Sequence, residues 1–130
     1  MLRVKSVHSP IERKADGLRI LVARFRGRGL ESSRYDVWMA SLGPSEQLLR
    51  QAQSGEITWA AFAREYRKEL KAPGGEVDAR CKTIRNNGQT FTLRLIKHLA
   101  HEGNVTLMCH CAEDATQCHR FLLRDYIEKI

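Results

Sequence analysis

The apolar positions of the chain fall into two kinds of strand-like run and one kind of helical run. Met1-Leu2-Arg3-Val4-Lys5 alternates, which predicts a strand from Arg3 to Val7 that turns away at Ser9-Pro10. Ile20-Leu21-Val22-Ala23 is continuously apolar and predicts a central strand covered on both faces. Asp16-Gly17 leads into it, and the Gly/Arg segment Arg24-Phe25-Arg26-Gly27-Arg28-Gly29 leads out. Tyr35-Asp36-Val37-Trp38 forms a further short element whose type the pattern leaves open. Val105-Thr106-Leu107-Met108-Cys109 has the composition of another buried strand.

The helical runs lie between these strands. Gly43-Pro44 breaks the chain, and Ser45 is placed to cap a helix through Leu48 and Leu49 that Ser54-Gly55 ends. Thr58 caps the next, where Trp59, Phe62, Tyr66 and Leu70 recur at helical spacing as one aromatic face, a core pattern. Pro73-Gly74-Gly75 stops that helix, and Asn86-Asn87-Gly88 marks a loop. From about Thr90 a third helix presents Leu93, Ile96, Leu99 and Ala100, with Gly103 as a left-handed cap. Asp114-Ala-Thr-Gln117 matches a capping box and predicts a last helix carrying Phe121, Leu122, Leu123 and Ile127. The order β-β-α-α-α-β-α predicts an α/β class, a single-domain layered sandwich over residues 1–130 with a small, mainly parallel sheet flanked by helices. No internal repeat or low-complexity segment is present.

Composition narrows the function classes. The 130 residues are enough to bury a core without disulfide staples, and 42% hydrophobic with 28% charged residues is ordinary for a soluble domain. No apolar run approaches the roughly 20 residues that span a membrane. With no secretory leader, the expected compartment is the cytoplasm, where the four cysteines stay reduced. A net charge of +7 points to an anionic partner, a small molecule or nucleic acid. Oligomeric state is not encoded in any pattern of the chain.

The candidate chemistry is concentrated in Cys109-His110-Cys111-Ala-Glu113-Asp114-Ala-Thr-Gln-Cys118-His119-Arg120. Ligands of open α/β sheets gather outside the carboxyl ends of strands, where this segment begins. Alternation aims Cys109 and Cys111 to one side if the strand continues through them, and the return of the chain brings Cys118, His119 and Arg120 to the same edge. Three chemistries compete. Zinc has ligands of the right type in Cys109, Cys111, Cys118 and His119, with Cys81, His98 and His101 in reserve. It lacks a C-x-x-C knuckle, so zinc is a possible cofactor and not the favoured one. His98 and His101 better suit a helix C-terminus.

Thiol chemistry would use Cys111 or Cys118, with Arg120 as electrostatic support and His119 as base. The formal phosphatase spacing Cys118-x5-Arg124 fails, because Phe121-Leu122-Leu123 is helical and no glycine allows a phosphate loop. Anion recognition would use a helix N-terminus, Arg120 and Arg24 or Arg28 as a clamp, and Ser45 at its own helix start. The basic balance favours this last reading: an anionic ligand bound in a Cys/His/Arg-lined pocket. A thiol enzyme, a structural zinc module and a nucleic-acid binder are the alternatives.

The same residues carry a family resemblance over nearly the full length. Asp16-Gly17-x-Arg19-Ile20-Leu21-Val22-x-Arg24, Arg28-Gly29-Leu30, Trp38 with Pro44-Ser45, Trp59-x-x-Phe62-x-x-x-Tyr66-x-x-Glu69-Leu70, and Cys111-Ala-Glu113 with Cys118-His119-Arg120 resemble successive blocks of the domain of unknown function 488 family, in its YeaO-like branch. The resemblance implies a shared fold and these candidate positions, without an assigned reaction. Members of the branch usually read Asp-Arg-Leu-Trp-Pro-Arg-Gly where this chain reads Ala23-Arg24-Phe25-Arg26-Gly27-Arg28-Gly29, so the acid, Trp and Pro are replaced. Some relatives lack the cysteines, so the resemblance does not make thiol chemistry common to the whole family.

Overall fold

A computed structural model describes residues 1–71 and 89–130. Four strands, β1 (Leu2–Ser6), β2 (Leu18–Leu21), β3 (Val37–Trp38) and β4 (Val105–Cys109), form one sheet in the order β1-β4-β2-β3. Every pairing is parallel. The last strand of the sequence is therefore central, with Leu107 opposite Val4 on one side and Ile20 on the other. That position accounts for its continuous apolarity, since all five of its residues are buried. The ladder runs past the strand ends: Val7 N–H donates to Cys109 O at 2.9 Å and Val22 N–H to Met108 O at 2.8 Å.

Side-chain alternation divides the core in two. Ile20, Val22, Val105 and Leu107 face the larger cluster, built with Phe62, Tyr66, Leu93, Ile96, Leu123 and Ile127 of the helices α3 (Trp59–Lys71), α4 (Thr90–Glu102) and α5 (His119–Lys129). Leu21, Ala23 and Met108 face the smaller one with Val7 and Leu30. The sandwich is thus asymmetric, with the long helices on one face. The other face takes Leu30 and Tyr35 from the segment between β2 and β3, and beside them stands α1 (Arg13–Asp16), which joins β1 to β2.

Polar groups on that second face are paired. Lys5 Nζ lies 3.0 Å from Asp16 Oδ1, Thr106 Oγ1 donates to Asp16 O at 2.7 Å, and Arg19 pairs with Asp36 at 3.1 Å. Asp16 is fully buried, so the residue read in the sequence as part of a turn is an internal counter-ion. Its neighbour Gly17 has φ +61, and a Cβ there would sit 2.0 Å from Asn104 O.

Two sequence-predicted caps occur as expected. Ser45 Oγ accepts from Leu48 N–H at the start of α2 (Glu46–Ser54), and Thr58 Oγ1 accepts from Ala61 N–H at the start of α3. Gly55 ends α2 in the left-handed conformation. Two other boundaries differ. Gly103 is extended, with φ −171, and its N–H closes α4 on Leu99 O without a left-handed residue. The Asp114–Gln117 box caps nothing: α5 starts at His119 with Cys118 as its N-cap residue, and 111–117 is turn. The reason is the guanidinium of Arg120, which binds the carbonyls of this segment and holds it out of the helix. The expected stop at Pro73-Gly74-Gly75 and the loop at Asn86-Asn87-Gly88 lie outside the described residues, as does Cys81. No described helix is long and apolar enough to cross a membrane.

Candidate functional site

Cys109 ends the central strand on the same face as Val105 and Leu107, which is the face covered by α5. The first turn of α5 therefore meets it. Cys118 Sγ lies 2.9 Å from Cys109 Sγ, and Arg120 Nη1 donates to Cys109 Sγ at 3.2 Å. The chain between them loops out and back, bringing Cys111 close enough that all three Sγ atoms lie within 4.8 Å of one another. Cys109 and Cys118 are buried and Cys111 is exposed. The expected convergence of the three cysteines is present.

The thiols are electrostatically unequal. Cys109 is pushed down to about 5, chiefly by the hydrogen bond from Cys118, with the charges near His119 and Arg120 and a backbone N–H of Cys111 adding to it against the cost of burial. Cys118 is pushed up, because it is the donor of that bond and sits beside the Cys109 charge. Cys111 is also pushed up, by burial of its sulfur and by the same charge. The guanidinium bond goes to Cys109 alone, which decides where the negative charge rests.

Arg120 is only 1% exposed, and its remaining donors hold the turn: Nη1 to Cys111 O at 3.1 Å, Nη2 to Ala112 O at 2.9 Å and to Glu113 O at 3.3 Å. Its Nε–H is buried without a partner among the described residues. Glu113 pins the same turn to the end of β1, accepting from Ser6 N–H at 2.6 Å and Ser9 Oγ at 3.2 Å. His119 donates from Nε2 to Val22 O at 2.8 Å, and its Nδ1 stands 3.9 Å from Cys118 Sγ, whose one S–H is already given to Cys109. Burial pushes the imidazole pKa down, opposed by the Cys109 charge and the Val22 carbonyl.

The remaining sequence candidates are structural neighbours of this edge. Arg24 donates from Nε to Pro44 O at 2.9 Å and from Nη2 to Gly43 O at 3.1 Å. Gly43 has to be glycine there, because a Cβ would lie 2.5 Å from the backbone nitrogen of Arg24. Ser45 caps α2 with its side chain, and its N–H donates to Glu69 Oε1 at 2.9 Å. Tyr66 donates its hydroxyl to Leu42 O and sets its ring edge-on to His119, with centroids 5.7 Å apart. Trp38 Nε1 donates to Ala23 O at 2.8 Å. Arg28 is exposed.

Arg24 and Arg120, two of the three arginines expected to clamp an anion, are therefore bound to backbone carbonyls. A cleft of about 230 Å³ between Arg3, Lys5, Glu12 and Glu113 adjoins the turn, but none of the cysteines or clamp arginines lines it. His110, unassigned in the sequence, donates from Nε2 to Phe25 O at 3.1 Å and lies beneath Gly27. Strand alternation turns it to the face opposite Cys109, which is where it packs.

The three thiols are a group of the kind that could hold a metal ion. Two Zn–S bonds of about 2.3 Å at a tetrahedral angle set the sulfurs roughly 3.7 Å apart. Cys109 and Cys118 stand at 2.9 Å, closer than that and inside the contact distance of two sulfurs, and a guanidinium occupies the neighbouring space.

Comparison with known proteins agrees with the blocks that converge here. The uncharacterized protein YeaO of Escherichia coli (strain K12) is 28% identical over 132 residues, which covers 99% of this chain and 98% of that protein. No solved structure matches. The family model described as the active DUF488-N3 subclade matches residues 2–130, and with this span the chain belongs to the DUF488 family.

Proposed function

We propose that this protein is a thiol-dependent redox enzyme of a reducing compartment, centred on the Cys109–Cys118 pair. The observation that carries it is the position of Cys109 Sγ between Cys118 Sγ and Arg120 Nη1, at 2.9 and 3.2 Å. A buried sulfur given one thiol donor and one guanidinium is a stabilised thiolate, and a core cysteine has no use for either. The +7 charge of the chain suits an anionic partner, and exposed Arg28 remains available to one. The exposed face of the site is Cys111.

The ultraviolet absorbance of the thiolate tests this reading without requiring reagent access. Measured on a Cys81→Ser background, native protein gives one thiolate per chain with a midpoint near pH 5, and Cys109→Ser removes that step. A titration in which no thiol ionises below pH 7.5 overturns the reading. So does one retained equivalent of zinc that accounts for the missing free thiols.

A further inference from the structure

Three thiols in one cluster exceed what a two-cysteine couple needs, and they differ in access. Cys109, at 1% exposure beneath α5, and Cys118, at 3% at the N-cap of that helix, are both sealed. Cys111 is exposed on the turn and has its sulfur within 4.8 Å of both. The turn carries no ladder or helical hydrogen bonds of its own at Cys111, and Arg120 holds it through the carbonyl only. A bulky disulfide cannot reach Cys109 directly, but it can reach Cys111.

We propose that the three thiols form an exchange relay, in which Cys111 accepts a low-molecular-weight acidic disulfide and passes oxidation inward to a Cys109–Cys118 disulfide. The relay rests on the thiol-centred reading above and assigns its substrate class. Cys111 Sγ attacks one sulfur of R–S–S–R, the external bond breaks, and the first R–S⁻ leaves with the Cys111 proton. Cys109 thiolate then attacks Cys111 Sγ, forms the Cys109–Cys111 disulfide and releases the second R–S⁻, which takes a solvent proton. Cys118 finally attacks Cys109 Sγ and transfers its proton to the departing Cys111 sulfur. Two electrons pass from the Cys109–Cys118 pair to the external disulfide, and two R–SH leave.

Proximity sets this order. The closest sulfur pair is Cys109 and Cys118, which must approach by only about 0.9 Å to reach bonding distance. The terminal disulfide therefore lies where the fold already packs two sulfurs, and Cys111 returns to its reduced, exposed state. An acidic disulfide is favoured over a neutral one by the positive charge of the chain.

The test oxidises reduced Cys81→Ser protein with glutathione disulfide and maps the quenched products by intact mass and peptide analysis. The parent ends with Cys109 joined to Cys118 and Cys111 free. Cys111→Ser and Cys111→Ala, at an exposed position that both tolerate, slow internal disulfide formation by at least about tenfold. Cys118→Ser stops at Cys109–Cys111, and Cys109→Ser stops with one glutathione on Cys111. Equal oxidation rates in the Cys111 variants and the parent overturn the relay, as does a parent that ends as a stable glutathione adduct. Those failures leave the Cys109 thiolate titration unchanged, whereas failure of the thiol-centred reading removes it.

Discussion

Arg120 reaches back from the first turn of α5 to place Nη1 3.2 Å from Cys109 Sγ, while that nitrogen also holds the carbonyl of Cys111 and Nη2 holds those of Ala112 and Glu113. One side chain thus fixes both the charge of the buried sulfur and the position of the exposed one. Its planar fork is what permits this, since an ammonium is a point charge with no such fixed spread of donors.

Arg120→Lys and Arg120→Met separate these roles. Lys keeps a positive charge near Cys109 and loses the fork, so the thiolate midpoint rises less than in Met, where it climbs by about 1–2 pH units. Both variants release the turn, and Met lowers stability by about 3 kcal/mol through the loss of charged hydrogen bonds to buried carbonyls. Thiolate absorbance and urea unfolding read the two effects separately. Equal midpoints in Arg120→Met and the parent would remove Arg120 from the electrostatics of the site.

Stability should carry the signature of Cys109. Its pKa falls from the ordinary 9.0 to about 5 on folding, so between those values the unfolded chain binds one proton more than the native one. Stability therefore rises with pH across that window, is fully gained near pH 9, and is lost as pH falls through 5. Above pH 9 the trend reverses, because folding holds Cys118 and Cys111 protonated where the unfolded chain ionises them. Urea midpoints of the reduced parent and of Cys109→Ser, measured from pH 5 to pH 10, test this; the variant lacks the rise between about pH 7 and pH 9 and keeps only the one below 6.5 that the lowered imidazole pKa of His119 gives.

Much of this site was legible in the chain, and the remainder failed for identifiable reasons. Strand parity was enough to bring Cys109 to the face that α5 covers, and the clustering of Cys118 and Arg120 nine and eleven residues later supplied the partners. The target of Arg120 was not legible, because a guanidinium satisfied by carbonyls leaves no mark in residue types. The same bonds overrode the local capping preference of Asp114 and Gln117, a case of tertiary contacts defeating a motif. The family blocks around Pro44, Tyr66 and Glu69 are scaffold, in keeping with the core spacing of Tyr66, and the candidate Arg24 joins them: Arg24, Tyr66 and Glu69 all bind the backbone between Leu42 and Ser45. The burial of Asp16 was not legible in its place before Gly17, since its ion pair with Lys5 joins two separate elements.

Gly43 is the tightest point of that scaffold. A Cβ would stand 2.5 Å from Arg24 N and 3.1 Å from Ala23 C, both backbone atoms that cannot swing aside. Gly43→Ala should cost about 2–3 kcal/mol in urea unfolding and loosen the Arg24 contacts with Gly43 O and Pro44 O. Gly55→Ala is the contrast, with open space around its Cβ but a left-handed φ of +76, so only the conformational cost of about 1 kcal/mol applies. A Gly43→Ala protein as stable as the parent would show that the segment moves freely against β2.

The Lys5–Asp16 pair lets the second face of the sheet be tested apart from the thiols. Burial raises the Asp16 pKa, but the N–H of Glu12 and the ammonium of Lys5 outweigh it and hold the carboxyl below its usual 3.8. Its contribution is therefore present above that value and lost as pH falls through the lower folded value, well away from the thiol window. Asp16→Ala leaves Lys5, 9% exposed, with only the exposed carboxylate of Glu12 at 3.8 Å as counter-charge and should cost about 3 kcal/mol. Lys5→Met on that background removes the stranded ammonium and should recover part of the loss, although Thr106 Oγ1 still donates to the carbonyl at position 16 in every variant. The coupling between the two substitutions, read by a double-mutant cycle in urea, should be at least about 1 kcal/mol. Strict additivity would mean that the ammonium already reaches water past Pro10, whose carbonyl it also contacts, and that the pair is a surface contact in energetic terms.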